Sequence, residues 1–367
     1  MKFTMHRENL LKPLQAVQGV VERRQTLPIL ANFLLTIADG RLSVTGTDME
    51  IELVASIPLP DTEAGEVTVP ARKLVDICRS LPAQAEVSLE VDGDRAVVRS
   101  GRSRFTLTTL PAVDYPSSDS LAGELRITTK EGQLKRLIEL THFAMAHQDV
   151  RYYLNGLLLD IGEGQLRAVA TDGHRLAIAE IPVETGDAAR QVIVPRKGIS
   201  ELLRLLGNGE EEVVIELGSN AVQVTLPEVR LTSKLIDGKF PDYRRVVPKE
   251  ESTDKSIVVD RELLRQSLAR AAILSNDKYR AVRLCLEPNA LRIVAKNPEQ
   301  EEAEDEVEVA YDGEPLEIGF NVSYLIDALT ALPGDEAVIH LGDSSSSALI
   351  TPKEEGDCQY VVMPMRL

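Results

Sequence analysis

The chain has 367 residues, of which 43% are hydrophobic and 4% aromatic, and its formal net charge at pH 7 is −17. This length suits two or three domains with aliphatic cores, and the acidic balance argues against a protein that holds nucleic acid by overall charge attraction. Cys78, Cys285 and Cys358 are far apart and odd in number, which argues against disulfides or a Cys-based metal site and predicts buried thiols in a reducing compartment.

The N-terminal residues MKFTMHRENLLKPLQ lack the apolar core and small-residue cleavage site of a signal peptide. The longest apolar stretch, ILANFLLTIA, is too short to span a membrane. These features predict a soluble, cytoplasmic protein.

Three kinds of segment recur along the chain at nearly constant intervals. A strand leading into an amphipathic helix occurs as FTMHRENLLKPLQAV near residue 3, RITTKEGQLKRLIEL near 126 and SIVVDRELLRQSLAR near 256. LSVTGTD, LRAVATD and LRIVAKN begin at residues 42, 166 and 291, and VPARKLVDICRSLP, VPRKGISELLRLL and IGFNVSYLIDALTAL begin at 69, 194 and 318. A period this long is that of a whole domain and not of a solenoid unit. We therefore predict three similar domains at residues 1–124, 125–248 and 249–367.

Each repeat has the same predicted order of elements. A short strand leads into a helix, in which Leu10, Leu14 and Val17 have helical spacing in the first repeat. Strands of alternating polarity follow, such as RLSVTGTDMEIELVASI, then a second helix and further strands. The pattern predicts an α+β fold of antiparallel sheets with two helices per domain.

The second helix of each repeat has an apolar stripe and an opposite face. The residues opposite the stripe are Arg72 and Arg79, then Lys197 and Arg204, then Phe320 and Asp327. A solvated charged face explains any one pair, but repetition in two domains favours a shared surface for a polyanion.

Charge differs strongly between the repeats. The first has 13 basic and 17 acidic residues, the second 16 and 17, and the third 12 and 24. The acidic run NPEQEEAEDEVEVAYDGE is either a solubilising strand edge or a partner surface. In the first repeat, Arg102 and Arg104 alternate on one strand face. The chain thus has a basic edge in its first repeat and an acidic third repeat, which suits head-to-tail assembly of two copies. Such assembly makes a ring if it closes.

Asp172 and His174 lie two residues apart in VATDGHRLA and are candidates for a hydrolytic site. The chain lacks a phosphate-binding loop, a nucleophile elbow and a zinc-binding HExxH helix. Asp172 also has a counterpart in Asp48, which favours a repeated structural turn. The basic helix faces disfavour another class of function, that of an acidic adaptor that binds only proteins.

At the level of whole motifs, the sequence resembles the bacterial sliding clamps, the beta subunits of DNA polymerase III. The resemblance covers all three repeats and rests on TLPILANFLL, SVTGTD, TVPARK, GRSRFTLTTLP, MAHQDVRYYLNGLLL, VATDGHRLA, VIVPRKG, TSKLIDGKFPDYRRV, RAAILSN, KNPEQEEAE, IGFNVSYLIDAL and YVVMPMRL. Lys296 in KNPEQ stands where the family has Asn.

The resemblance implies a DNA-clamp fold in which two chains close head to tail into a ring around duplex DNA. Such a ring tethers the replicative polymerase without catalysis of its own. Weak phosphate contacts permit sliding, and topological retention needs only a locally basic lining, which accommodates the net negative charge. No cofactor or metal is expected.

Three sets of site residues follow from the resemblance, with four DNA contacts added from the helix faces. The expected DNA contacts are Arg24, Arg72, Arg79, Gln148, Tyr152, Tyr153, Lys197 and Arg204. The expected dimer interface joins Lys73, Arg102, Arg104, Phe105 and Leu107 of one chain to Ile273, Leu274, Glu299, Glu301 and Glu304 of the other. The expected cleft for short linear peptides from the polymerase alpha subunit, the clamp loader, other DNA polymerases and repair proteins comprises Leu154, Thr171, Gly173, His174, Arg175, Leu176, Pro241, Arg245, Val246, Asn321, Tyr324, Ser347, Val361, Met363, Pro364, Met365 and Arg366.

Overall fold

The computed structural model describes residues 1–21, 27–116, 121, 123–249, 253–354 and 356–366. Within these residues, six α-helices and 24 β-strands repeat one order three times: a strand, a helix, four strands, a helix and three strands. The α+β fold with two helices per repeat is therefore confirmed. The helices are α1 (Arg7–Val17), α2 (Ala71–Ser80), α3 (Glu131–Glu139), α4 (Arg196–Leu205), α5 (Arg261–Ala272) and α6 (Val322–Ala331).

All strand pairings between the named strands are antiparallel. The strands are β1 (Lys2–His6), β2 (Asn32–Ala38), β3 (Arg41–Thr47), β4 (Ile51–Pro58), β5 (Gly65–Pro70), β6 (Glu86–Asp92), β7 (Arg95–Ser100), β8 (Ser103–Thr108), β9 (Leu125–Lys130), β10 (Gly156–Gly162), β11 (Gln165–Thr171), β12 (Arg175–Pro182), β13 (Arg190–Pro195), β14 (Glu212–Leu217), β15 (Ala221–Thr225), β16 (Val229–Lys234), β17 (Lys255–Asp260), β18 (Ala281–Glu287), β19 (Ala290–Lys296), β20 (Glu302–Glu308), β21 (Leu316–Asn321), β22 (Glu336–Leu341), β23 (Ala348–Pro352) and β24 (Cys358–Val362).

One compact unit comprises Met1–Gly132 and Ser200–Leu235. It contains a four-stranded sheet of order β1-β6-β7-β8 and an eight-stranded sheet of order β5-β2-β3-β4-β16-β15-β14-β9. The eight-stranded sheet is continuous because β4 pairs with β16, with Leu53 opposite Leu231. Leu10, Leu14 and Val17 of α1 are fully buried, as their helical spacing requires.

The other compact unit comprises Gln133–Ile199 and Ile236–Leu367. Its sheets have the orders β20-β19-β18-β21 and β13-β10-β11-β12-β24-β23-β22-β17. In the larger sheet β12 pairs with β24, so that Leu176 lies opposite Val361. This pairing brings the TDGHRL segment beside the last strand of the chain.

The compact units do not follow the sequence repeats. The second repeat contributes β9 and β14–β16 to one unit and β10–β13 to the other. The physical reason is that hydrogen-bonded sheets run on from one repeat into the next. The domain limits of residues 1–124, 125–248 and 249–367 stay a prediction.

The observed first residues of the helices correct the sequence alignment of the third repeat with the other two. Helix α2 begins at Ala71, α4 at Arg196 and α6 at Val322. The positions equivalent to Arg72 and Arg79 are therefore Ser323 and Thr330 in the third repeat, and the alignment with Phe320 and Asp327 is wrong. Alignment on apolar residues slipped by one turn because α6 is apolar on more than one face. The third repeat lacks the basic pair in either register.

Cys78, Cys285 and Cys358 are buried and free, as predicted. Burial raises the pKa of the Cys78 thiol to about 11. Among the described helices, none has the length and apolar character needed to cross a bilayer.

Candidate functional site

The turn between β11 and β12 is built by Thr171 and Asp172. Asp172 Oδ1 accepts hydrogen bonds from the backbone N–H groups of His174 and Arg175 at 2.9 and 3.1 Å. Thr171 Oγ1 accepts from the Gly173 N–H at 3.1 Å and donates to the Arg175 carbonyl at 2.6 Å. Short polar side chains that bond the backbone two or three residues ahead stabilise such turns.

The same turn occurs in the first repeat. Asp48 Oδ1 accepts from the N–H groups of Glu50 and Ile51 at 2.9 and 2.8 Å. Thr47 Oγ1 donates to the Ile51 carbonyl at 2.8 Å. The Thr–Asp pair is thus a repeated structural device, and its presence is explained without catalysis.

Gly173 differs from its counterpart in the first turn. Both Gly173 and Met49 have positive φ, at 88° and 77°, so the backbone conformation alone does not require glycine. A Cβ at Gly173 would lie 2.8 Å from Nη1 of Arg151, however. Glycine leaves room for the Arg151 guanidinium to lie against the turn.

Arg151 is held by a carboxylate and by the turn itself. Its Nε and Nη2 donate to the two oxygens of Asp149 at 3.0 and 2.8 Å, and Nη2 also donates to the Asp172 carbonyl at 3.1 Å. The hydrogen bonds from Arg151 lower the pKa of Asp149 to about 2. The pair is therefore ionised at neutral pH and fixes the guanidinium.

Arg175 is the second anchored guanidinium. Its Nε donates to Asp172 Oδ2 at 3.1 Å, Nη1 to Asp327 Oδ2 at 2.5 Å and Nη2 to the Phe143 carbonyl at 2.9 Å. The guanidinium carbon lies 5.3 Å from the ring centroid of Phe143 and 4.7 Å from that of Tyr324. Contacts of this kind with aromatic faces stabilise a cation.

A cavity of about 190 Å³ lies between these two guanidinium groups and a largely apolar wall. It is lined by Arg151, Tyr153, Leu154, Thr171, Gly173, Arg175, Leu176, Phe240, Pro241, Tyr243, Val246, Val361 and Met363. An apolar pocket with a few convergent polar groups is the usual form of a site for a small molecule or a peptide anchor. The exposed Met363 adds an adaptable side chain at the rim.

The segment from Phe240 to Val246 forms one wall and is tied to β10. The Tyr243 hydroxyl donates to Asp160 Oδ2 at 2.6 Å, and Arg244 Nη2 donates to the same oxygen at 3.3 Å. Burial raises the pKa of Tyr243 to about 12, so the phenol remains a donor at neutral pH. The buried carboxylate of Asp160 therefore anchors this wall.

Two larger grooves in the same unit, of about 670 and 690 Å³, are more polar. One of about 670 Å³ is lined by residues that include Arg167, Glu180 and Arg244. Arg167 is already paired with Glu180 at 2.7 Å and Arg244 with Asp160 at 3.3 Å. The smaller cavity is the better candidate site, since it combines apolar walls with guanidinium N–H groups that still have donor capacity.

The cavity brings together nine residues that the resemblance assigned to the cleft, namely Leu154, Thr171, Gly173, Arg175, Leu176, Pro241, Val246, Val361 and Met363. Sequence reasoning missed Arg151, Phe240 and Tyr243, and it gave Tyr153 a role with DNA. These three residues could have been found because they are close in sequence to residues that were assigned a site. Arg151 directly precedes Tyr152 and Tyr153 in RYY, and Phe240 and Tyr243 lie one residue before and two residues after Pro241 in FPDY.

The remaining expected cleft residues lie outside the cavity lining, namely His174, Arg245, Asn321, Tyr324, Ser347, Pro364, Met365 and Arg366. The His174 ring stacks on Tyr324 with centroids 6.3 Å apart. Arg245 is largely exposed and paired with Asp242 at 2.8 Å, and Asn321 caps α6 by accepting from the Ser323 N–H at 2.9 Å.

The last described residues of the chain are tied by backbone hydrogen bonds to two other segments of this unit. Met363 N–H donates to the His174 carbonyl at 2.9 Å, and Met365 N–H donates to the Gly319 carbonyl at 2.8 Å. Pro364 and Ser347 are half-buried, whereas Arg366 is exposed.

The expected DNA contacts differ widely in their surroundings. Arg24 lies outside the described residues. Gln148 and Tyr152 are exposed, and the rings of Tyr152 and Tyr153 meet edge to face with centroids 5.8 Å apart. Arg72 and Lys197 are half-buried.

Arg79 and Arg204, expected as DNA contacts, already hold structural partners. Arg79 Nη2 donates to Gln18 Oε1 at 3.0 Å. Arg204 Nη2 donates to the Ala16 carbonyl at 2.5 Å and Nη1 to the Gln15 carbonyl at 3.3 Å, and Arg204 also pairs with Glu201 at 2.7 Å. Arg204 thus caps the C-terminal end of α1, where unpaired carbonyls favour a cation.

The expected interface residues lie on or near two sheet edges. Strand β8 ends its sheet, with Arg102 and Arg104 exposed, Phe105 half-buried and Leu107 buried. Strand β20 ends another sheet, with Glu304 exposed on it and Glu299 and Glu301 exposed just before it. Lys73 is exposed on α2, Ile273 is exposed after α5 and Leu274 is half-buried.

Comparison with known proteins identifies the family. Models of the N-terminal, central and C-terminal domains of the DNA polymerase III beta subunit match residues 1–119, 128–242 and 244–366. The beta sliding clamp of Pseudomonas putida is 55% identical, with complete coverage of both chains. A crystal structure of the DNA polymerase III beta subunit from Pseudomonas aeruginosa is 54% identical over the whole of both chains, with a TM-score of 0.97. A second structure, of the Pseudomonas aeruginosa sliding clamp bound to griselimycin, gives the same identity, coverage and TM-score. The chain belongs to the family of DNA polymerase III beta subunits, the bacterial sliding clamps.

Proposed function

We propose that this chain is a cytoplasmic, non-catalytic sliding clamp that encircles duplex DNA and tethers the replicative polymerase. The observation that carries the proposal is the full-length likeness to solved sliding clamps at 54% identity and a TM-score of 0.97. Binding to DNA is independent of base sequence because the ring retains the duplex topologically.

The two charged sheet edges support closure of two copies head to tail. On β20, Glu302, Glu304, Glu306 and Glu308 are all exposed, whereas β8 and the turn before it expose Arg102 and Arg104. An edge strand has unpaired backbone groups that another strand can pair with. Opposite charge on the two edges favours a contact between unlike ends over a contact between like ends. The exposed Ile273 supplies an apolar residue near the acidic edge.

The contacts with DNA are weak and local in this proposal. The resemblance assigns Gln148, Tyr152, Tyr153 and Arg24, of which Arg24 lies outside the described residues. The helix faces add Arg72, Arg79, Lys197 and Arg204. A few phosphate contacts give affinity that falls with salt and carries no base-sequence information, so the ring can slide. Arg204 is the weakest candidate, since most of its N–H groups are already engaged by α1 and Glu201.

The cavity beside TDGHRL is proposed as the docking site for short linear peptides. The partners are the polymerase alpha subunit, the clamp loader, other DNA polymerases and repair proteins. An apolar peptide side chain fits the wall of Leu176, Val361 and Tyr243, while Arg151 and Arg175 donate to peptide carbonyl or carboxylate groups. The griselimycin complex of the Pseudomonas aeruginosa clamp supports ligand binding within the family.

Retention on DNA of different topology tests the ring. The protein is loaded onto nicked circular plasmid with a clamp loader and filtered through a sizing column, and the plasmid is then linearised. We expect retention on the circle and loss from the linear form. Equal loss from both forms contradicts topological binding.

Deletion of residues 363–367 tests the peptide site separately. The deletion removes Met363 from the cavity and leaves β24, β8 and β20 intact. We expect loss of binding to a labelled peptide from the polymerase alpha subunit, with the dimer mass unchanged in light scattering. Unchanged peptide affinity contradicts the assignment of this cavity.

A further inference from the structure

Asp327 is not part of the cavity, yet it is bonded to one of the guanidinium groups that line it. Its Oδ2 accepts from Arg175 Nη1 at 2.5 Å, across 152 residues of sequence. Asp327 lines a different cavity of about 450 Å³, together with Phe143, His142 and Thr330. Asp327 therefore makes no direct contact with a ligand in the smaller cavity, and a contact-mediated effect on that ligand passes through another residue.

The surroundings of Arg175 show how much of its orientation depends on Asp327. Two of its hydrogen bonds have acceptors outside α6, namely Asp172 Oδ2 and the Phe143 carbonyl. The third comes from α6, which also places the Tyr324 ring 4.7 Å from the guanidinium carbon. Residues 324 and 327 are one helical turn apart, so α6 presents a ring and a carboxylate on one face.

The remaining donors of Arg175 are those available to a ligand. A guanidinium has five N–H groups, and three of those on Arg175 are bonded to acceptors within the described part of the chain. The other two belong to Nη1 and Nη2. Their direction is set by the same planar group that Asp327 holds, because the guanidinium turns as one rigid fork.

We propose that Asp327 is a positioning residue for peptide binding: it fixes the fork of Arg175 from α6, so that the two remaining Nη donors point into the cavity. This inference rests on the proposed peptide-binding function and adds a specificity determinant outside the cavity. It also makes the affinity of the cavity depend on the position of α6. Asp327 does not touch the peptide in this arrangement.

The test measures the affinity of a fluorescein-labelled peptide from the polymerase alpha subunit by anisotropy. The variants are Asp327→Asn, Arg175→Ala and the double variant, with Glu139→Gln as the matched control. Glu139 lines the same 450 Å³ cavity as Asp327, and its ion-pair partner is Lys135 at 4.0 Å. Charged residues in contact are coupled by free energies that correspond to about a tenfold change in affinity. We therefore expect Asp327→Asn to weaken peptide binding about tenfold and Glu139→Gln to leave it unchanged.

The double variant separates positioning from a general structural effect. If Asp327 acts through Arg175, then Asp327→Asn has no further effect in the Arg175→Ala background. Equal weakening in both backgrounds, or unchanged affinity of Asp327→Asn, overturns the inference. Asp327→Glu, which keeps a carboxylate, should recover part of the affinity. Thermal unfolding verifies that each variant is folded, and if Asp327→Asn is unfolded, the same comparison with Asp327→Ala decides in its place. Failure of the unchanged chain to bind the peptide instead refutes the proposed function itself.

Discussion

The hydroxyl of Tyr243 donates a 2.6 Å hydrogen bond to Oδ2 of Asp160, a residue 83 positions earlier in the chain. Asp160 is only 6% exposed. The bond ties the cavity wall from Phe240 to Val246 onto strand β10. The shape of the proposed peptide site thus depends on a polar contact behind it.

Replacement of Tyr243 by Phe should loosen this wall while keeping the aromatic ring. Among the described residues, the change leaves Arg244 as the one side-chain donor to the buried Asp160, so we expect a loss in unfolding free energy of about 1–2 kcal/mol. Urea denaturation followed by circular dichroism measures it. Peptide affinity should fall as well. A variant with unchanged stability and affinity contradicts an anchoring role, and Tyr311→Phe is a matched control because its hydroxyl donates to the Glu314 carbonyl elsewhere.

Gly173→Ala should lower the free energy of unfolding more than the same change at an ordinary turn glycine. Its Cβ would lie 2.8 Å from Arg151 Nη1 at a φ of 88°. Gly164 has a φ of 74°, and a Cβ added there would meet no atom within 4 Å beyond its chain neighbours, which makes Gly164→Ala the control. We expect about 1 kcal/mol of destabilisation from the backbone alone at Gly164, and at Gly173 a larger loss together with weaker peptide binding. Equal effects of the two changes would show that Arg151 adapts without cost.

Arg204→Ala should affect stability more than DNA retention. The side chain bonds the C-terminal carbonyls of α1 and is 40% exposed, so screening limits its contribution to about 1 kcal/mol or less. Chemical denaturation measures this loss. Arg79→Ala and Arg72→Ala should in turn lower the affinity for linear duplex DNA at low salt, where phosphate contacts are least screened, and leave topological retention on the circle unchanged. A larger loss of this affinity for Arg204→Ala than for those two contradicts the ranking.

Charge reversal across the two sheet edges tests the head-to-tail contact. Arg104→Glu and Glu304→Arg should each weaken the dimer, because like charges then face each other across both contacts. An equimolar mixture of the two variants restores opposite charges at both contacts, so we expect the dimer mass to return in sedimentation or light scattering. Two variants that dimerise normally alone, or a mixture that stays monomeric, contradict the proposed pairing of β8 with β20.

The ion pair between Asp149 and Arg151 should persist in mild acid. The pKa of Asp149 is lowered to about 2 by Arg151, so its contribution to stability is present above the ordinary carboxyl pKa of about 3.9 and is lost as the pH falls toward 2. The difference in Tm between the unchanged chain and Asp149→Asn should therefore be constant from pH 7 to pH 5 and shrink below pH 4. A difference that already vanishes at pH 5 contradicts the lowered pKa.

The sequence predicts those features of the structure that depend on local pattern. The order of strands and helices follows from alternation and helical spacing, and burial of Leu10, Leu14 and Val17 follows from the same spacing. The prediction was weaker at α6, where apolar residues on several faces allowed the slip to Phe320 and Asp327. The fold itself followed from period and motif together.

The candidate site was predicted only in part, for a physical reason. Motifs supplied Leu176, Val361 and Met363, but Arg151 and Tyr243 become part of the cavity through contacts with Asp149 and Asp160 that no local pattern specifies.

By itself the sequence determined the repeated unit, the family and the Thr–Asp turn, because each depends on neighbours within a few residues or on a motif. Only the tertiary structure decided that β12 pairs with β24 and that Arg204 caps α1. It alone also placed Asp327 on Arg175. Those contacts join residues far apart in the chain, and their geometry is set by sheet register and helix packing.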